Sequence, residues 1–181
     1  MELIAKITDE NIGEKFIELK NPKTRTAVRT ILLDNDGNIA ILHKKNKNEY
    51  KLIGGGVDEG ENLEQALVRE TLEESGCEIN IISYLGFVEE YRSKKNFYQK
   101  SYIYISQVTK NTHQLHLTKK EQEEGSELCW FTPEEALKIM KESYNKLIPS
   151  KYSDLYSTKI IVTRDSTILK YYIERVLNQN N

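Results

Sequence analysis

Residues 54–78 read GGGVDEGENLEQALVRETLEESGCE, and the reading of this stretch decides the fold. Gly54, Gly55 and Gly56 are three consecutive residues without a Cβ, so the chain can bend sharply there and pass close to a neighbour or a ligand. A loop to Glu61 follows. Asn62 is suited to cap a helix, with Gln65 three residues on as a capping-box variant, and Leu63, Ala66 and Leu67 open an apolar stripe. The helix should end near Ser75, with Gly76 as its stop. At 3.6 residues per turn, Glu70, Glu73 and Glu74 fall within an arc of roughly 100° and about one turn of rise, so three carboxylates share one patch.

Charge singles out the same segment. Residues 58–78 hold eight acids against one base, Arg69, a balance of −7, whereas the remainder of the chain carries +5 and the whole −2. An acidic cluster inside an otherwise slightly basic chain is what a cation site looks like from sequence. On a free surface helix the alternative is a solvated acidic face with one Arg69–Glu73 ion pair. Repulsion of a few tenths of a kcal/mol per like-charged pair then leads to the expectation that Glu74→Gln leaves the metal-free fold as stable as before, or slightly more so.

Working outward, residues 26–33 (TAVRTILL) and 39–42 flank Asp36-Gly37, which predicts a hairpin with a positive-φ turn. Residues 79–88 and 97–108 are rich in Ile, Tyr and Val and read as two long paired strands joined around 92–96. Residues 127–131 (ELCWF) are a short strand, and Thr132-Pro133-Glu134-Glu135 starts a helix reaching about Lys141. Residues 143–163 lack a clear pattern and read as an irregular excursion. Ile168, Leu169, Tyr172, Ile173, Val176 and Leu177 then give one helical face, which closes the core or, in the other reading, forms a homodimer contact.

The 181 residues suit one domain, 1–181, with a helical extension over about 143–181. Neither a signal peptide nor a membrane span is visible, which implies a cytoplasmic protein. Cys77 and Cys129, far apart among apolar neighbours, read as ordinary thiols rather than a disulfide or thiolate metal site. The small net charge argues against general nucleic-acid binding.

Gly55, Glu61, Arg69, Glu70, Glu73, Glu74 and Gly76 follow the spacing G-x5-E-x7-R-E-x-x-E-E-x-G, which resembles the Nudix box of the Nudix hydrolases. With roughly 7% usage per residue type, seven such matches coincide on the order of once in 10⁸ starting points. Thr71 stands where the family usually has an apolar residue, and Ile53 where it often has proline; neither change removes a charged group. The resemblance implies an α/β fold, a Nudix-like α/β/α sandwich with a mixed β-sheet and helices on both faces. It implies a pyrophosphatase acting on a small phosphate-containing substrate, a nucleotide or nucleotide derivative, with Mg²⁺ as cofactor and Mn²⁺ as a substitute. Glu70, Glu73 and Glu74 are then the metal ligands, helped by the Gly55 carbonyl. Arg69 orients the carboxylates and Glu61 braces the loop.

A glutamate outside the box often completes such a site. Glu121, Glu123, Glu124 and Glu127 precede Trp130, and spacing favours Glu124. His113 and His116 lack a partner at diagnostic spacing for a metal site. The basic groups Lys44, Lys45, Lys47 and Lys51 and Arg92, Lys94 and Lys95 read as loop residues, solvated or within reach of distal phosphates. Tyr91, Tyr98, Tyr102 and Tyr104 read as packing along a strand rather than a base-stacking platform. The rival to an enzyme is a catalytically silent Nudix-fold protein that binds a nucleotide for regulation.

Overall fold

A computed structural model describes residues 2–178. Seven strands form one mixed sheet: β1 Leu3–Ile7, β2 Lys23–Leu33, β3 Ile39–Lys44, β4 Glu49–Leu52, β5 Cys77–Arg92, β6 Phe97–Asn111 and β7 Ser126–Phe131. The order is β1-β5-β6-β2-β3-β4, with β7 also paired to β3. The pairs β1/β5 and β2/β6 are parallel, and the others are antiparallel. The expected hairpin is present, closed by Leu33 opposite Ile39 and by the Asp34 amide on the Asn38 carbonyl at 3.0 Å, with Gly37 at φ 82°.

Alternation along β2 assigns its two faces. Val28 packs with Ala66 and Leu67 of helix α1, Leu63–Ser75, on one side. Ile31 joins Met140 of α3, Pro133–Ser143, and Ile160, Ile168 and Leu169 of α4, Leu155–Tyr172, on the other. Helices therefore cover both faces of a mixed sheet, as expected. A short helix, α2, Lys119–Glu123, precedes β7.

The excursion expected over 143–163 is shorter than the sequence suggests, because α4 begins at Leu155 under an Asp154 cap whose carboxylate accepts from the Ser157 amide at 2.8 Å. Between 157 and 165 it buries Ser157, Thr158, Arg164 and Asp165 beside the apolar residues, so no clean stripe marks its start. Ile168, Leu169 and Tyr172 lie in the core, as the core-closing reading required, and the helix continues as a π-helical turn over Ile173–Leu177. Of the C-terminal extension, 179–181 lie outside the described residues. Among the described residues no helix is long and apolar enough to cross a membrane.

Candidate active site

The glycine loop is clamped between β2 and α1. At Gly54, with φ 131°, a Cβ would collide with the Val28 carbonyl, and at Gly55 it would fall on the Glu70 carboxylate. The loop needs glycine because a strand and a charged side chain occupy the space on either side of it. The Gly55 carbonyl, expected to help hold a metal, instead accepts from the Val28 amide at 2.9 Å and Arg29 Nη1 at 3.3 Å. Both of these donors belong to β2.

Arg69 is the hub. Its Nε and Nη2 donate to Glu61 at 2.6 and 2.9 Å, and its Nη1 reaches Glu70 at 3.0 Å and Glu73 at 3.3 Å, while Asp58 lies 3.6 Å away. One guanidinium thus faces four carboxylates, a local balance of −3. Its hydrogen bonds hold the Glu61 carboxyl down to about 2, and Glu61 also accepts from the Asp58 amide, bracing loop to helix as expected. Asn62 and Gln65 form the expected capping box, and Gly76 ends α1 at φ 67°.

Glu74 departs from the picture of three carboxylates on one solvated patch. It is buried, with Oε1 accepting from Lys51 Nζ at 2.6 Å and Oε2 from the Gly54 amide at 2.8 Å. Burial raises its pKa, against the pull of Lys51 and the Gly54 amide. Glu124 departs further. It is 1% exposed and accepts from Lys44 Nζ and Ser150 Oγ, each at 2.7 Å; these bonds hold its pKa down despite burial. Glu124 does not line the cavity that holds Glu70, Glu73 and Glu74, whereas Glu121, one turn earlier on α2, does.

That cavity measures about 490 Å³. Lys44, Lys47 and Lys51, which the sequence left as loop residues, are buried in its wall, with Lys47 paired to Glu49. Arg25 and Arg29 from β2, Lys120 from α2 and Arg164 from α4 also line it, and nothing in the sequence pattern marks these four. Arg164 is paired within the fold, to Glu90 at 2.9 Å and Asp165 at 2.7 Å, and Asp165 also accepts from the Leu52 amide just before the glycine loop.

The model of the NUDIX domain matches residues 23–150 of this chain. The chain belongs to the Nudix hydrolase family. Over 55 residues it is 46% identical to an RNA pyrophosphohydrolase from Wolbachia pipientis subsp. Culex pipiens (strain wPip), a match covering 30% of this chain and about a third, 34%, of that relative. A Nudix hydrolase from Nitrosomonas europaea superposes with a TM-score of 0.51 at 19% identity, covering 68% of this chain and 90% of that structure, which shows the shared fold.

The two departures from the Nudix box are absorbed by packing. Thr71 is buried with its hydroxyl on the Leu67 carbonyl at 2.7 Å, and Ile53 is buried with its carbonyl accepting from the Thr30 amide. His113 and His116 lie in the loop after β6, and the His116 amide donates to the Glu73 carbonyl at 2.9 Å. Tyr102 and Tyr104 pack against the α1 cluster, and the Tyr91 and Tyr98 hydroxyls both bond Glu89. Cys77 is a buried thiol. Cys129 is less isolated than its sequence context suggests: with His43 and Glu127 it forms a group whose donor atoms lie within 4.8 Å of one another on β3 and β7, and Lys45 bonds Glu127 there at 2.5 Å.

Proposed function

We propose that this chain is a divalent-metal-dependent hydrolase that cleaves a pyrophosphate linkage in a nucleotide or nucleotide derivative. The observation that carries the reading is one guanidinium held among four carboxylates at a cavity that several lysines and arginines also line. A −3 cluster repels a pyrophosphate unless cations lie between them, and an all-oxygen donor set suits Mg²⁺ or Mn²⁺.

Glu70 and Glu73 would hold the metal, with Glu121 as the oxygen donor from outside the box in place of Glu124. Glu74 joins them through the lone pairs that Lys51 and Gly54 leave free, since a carboxylate offers about four acceptor sites. When bound, the metal polarises phosphoryl oxygens and acidifies an attacking water. The chain's own groups orient and neutralise: Arg69 fixes Glu70 and Glu73 in direction, Glu61 ties the loop to that arginine, and the Gly54 amide and Lys51 set the Glu74 carboxylate. The basic wall offsets charge on the phosphates. No covalent enzyme intermediate is required, because water displaces at phosphorus.

The test is a panel of nucleoside triphosphates, nucleotide sugars and dinucleoside polyphosphates, assayed for phosphate or nucleotide release with Mg²⁺, with Mn²⁺ and in excess EDTA. Release from at least one substrate with metal, and none in EDTA, is expected. Tight binding without turnover across the panel would point instead to the catalytically silent regulator.

A further inference from the structure

Most basic groups of the cavity have a carboxylate of their own. Lys44 has Glu124, Lys47 has Glu49, Lys51 has Glu74, and Arg164 has Glu90 and Asp165. Arg25, Arg29 and Lys120 have none within 4.0 Å among the described residues. Arg25 reaches only Gln99, at 3.4 Å, and Lys120 has only the Tyr152 ring, 5.9 Å to its centroid.

Arg29 is the most telling of the three. It is 5% exposed, spends Nη1 on the Val28 and Gly55 carbonyls, and leaves its buried Nε without an acceptor. Arg164, 1% exposed, likewise has a buried Nη2 without an acceptor. Burial and repulsion by Arg164 bring the Arg29 pKa down to about 10. A buried cation with neither a counter-ion nor full hydrogen bonding is costly, and an anion arriving from the cavity supplies both.

The basic wall also continues outward. A second cavity, of about 440 Å³, shares Arg25, Lys120, Ser153 and Ile161 with the first and adds Lys23, Arg92 and the aromatic rings of Phe97 and Tyr152.

We propose that Arg25, Arg29 and Lys120 form a phosphate subsite in the cavity that the α1 carboxylates also line, which receives a phosphate beyond the two of the cleaved linkage, while the rest of the substrate extends into the adjoining cavity. This rests on the reading of the carboxylates as the hydrolytic centre, and it narrows the substrate to one with three or more phosphates. Guanidinium forks match phosphate oxygens in geometry and charge, and two arginines with an ammonium group suit a doubly charged phosphate better than a sugar hydroxyl.

Two measurements test it. Inorganic tripolyphosphate, titrated calorimetrically into the full chain in EDTA, should bind, and Arg25→Gln and Lys120→Gln should each weaken it about tenfold; both side chains are exposed, so the fold should survive either change. Absence of binding, or equal affinity in all three proteins, overturns the subsite. With metal, the ratio of kcat/KM for a nucleoside triphosphate to that for a two-phosphate nucleotide sugar should fall about tenfold in Arg25→Gln. An equal loss on both substrates overturns the third phosphate, because Arg25 would then serve the cleaved linkage itself. Tripolyphosphate binding that responds to both substitutions, with no hydrolysis of any panel substrate, upholds the subsite and refutes the hydrolytic reading on its own.

Discussion

The α1 wall of the cavity draws Arg69, Glu70, Glu73 and Glu74 from consecutive turns of one helix, whereas the basic lining draws Arg25 and Arg29 from β2, Lys120 from α2 and Arg164 from α4. The first wall is a local structure: helical geometry alone brings its carboxylates together. The second exists only once the sheet is assembled and α4 is docked. The walls also differ in satisfaction. Every carboxylate of 70–74 on the α1 wall has a cationic partner, while three bases of the same cavity have no carboxylate partner among the described residues. Acidic and basic groups thus line one cavity, the arrangement that the proposed metal-bridged polyphosphate would require.

The sharpest way to break the comparison is at Glu74, because it belongs to the acidic wall yet is buried like a core residue. Glu74→Gln should destabilise the metal-free protein by about 3–5 kcal/mol, since it leaves Lys51 as an unpaired buried charge. This reverses the expectation from helical spacing, in which three mutually repelling carboxylates gain from losing one. Denaturant unfolding in EDTA decides between them, and a variant as stable as wild type would return Glu74 to the solvated patch. Next in size is Glu73→Gln. Glu73 is the most open of the three, with a side chain 40% exposed, so the fold should be intact while kcat falls on the order of 10²-fold or more. A near-wild-type rate would move the metal elsewhere.

These two residues show how much of the site was legible in the sequence. The placing of Glu70, Glu73 and Glu74 on one helix, the capping of α1 and the glycine turn were legible, because each is a short-range consequence of residue type. Spacing could not tell that Glu74 faces Lys51, a partner 23 positions away, or that the Gly55 carbonyl accepts from β2. Glu124 was preferred to Glu121 on spacing alone; α2 turns the former onto Lys44 and Ser150 and the latter toward the cavity. A usable signal did exist, since Thr118 followed by Glu121 is a capping-box pair that would have placed Glu121 in the first turn of a helix. The start of α4 is not legible in the sequence for a related reason. Its buried face mixes Thr158, Arg164 and Asp165 with Ile160, and its Thr, Ile and Val residues weaken the helical signal.

Smaller effects sharpen the basic side. Asp154 caps α4 and bonds Lys95 at 2.7 Å, and these bonds, working against partial burial, bring its pKa down to about 2. A carboxyl depressed on folding contributes stability that is present above its unfolded value, near 3.8, and is lost as pH falls through about 2. Asp154→Asn should therefore be less stable than wild type at neutral pH, and the gap should close between pH 4 and 2; a gap constant with pH would mean that the ionised cap contributes nothing. The smallest effect belongs to Arg25→Gln, an exposed side chain without an ion pair among the described residues, whose unfolding free energy should stay within about 0.5 kcal/mol of wild type. A large loss would make Arg25 part of the scaffold and blur the contrast between the two walls.

The most direct test of the central claim, that the α1 wall works by holding a divalent cation, is turnover of the best panel substrate against free Mg²⁺ for wild type and Glu73→Gln. The predicted result is no turnover in EDTA, full recovery of wild type as Mg²⁺ is restored, and for the variant a lower plateau reached only at higher Mg²⁺. Undiminished turnover in EDTA, or the same plateau at the same Mg²⁺ in both proteins, would contradict it.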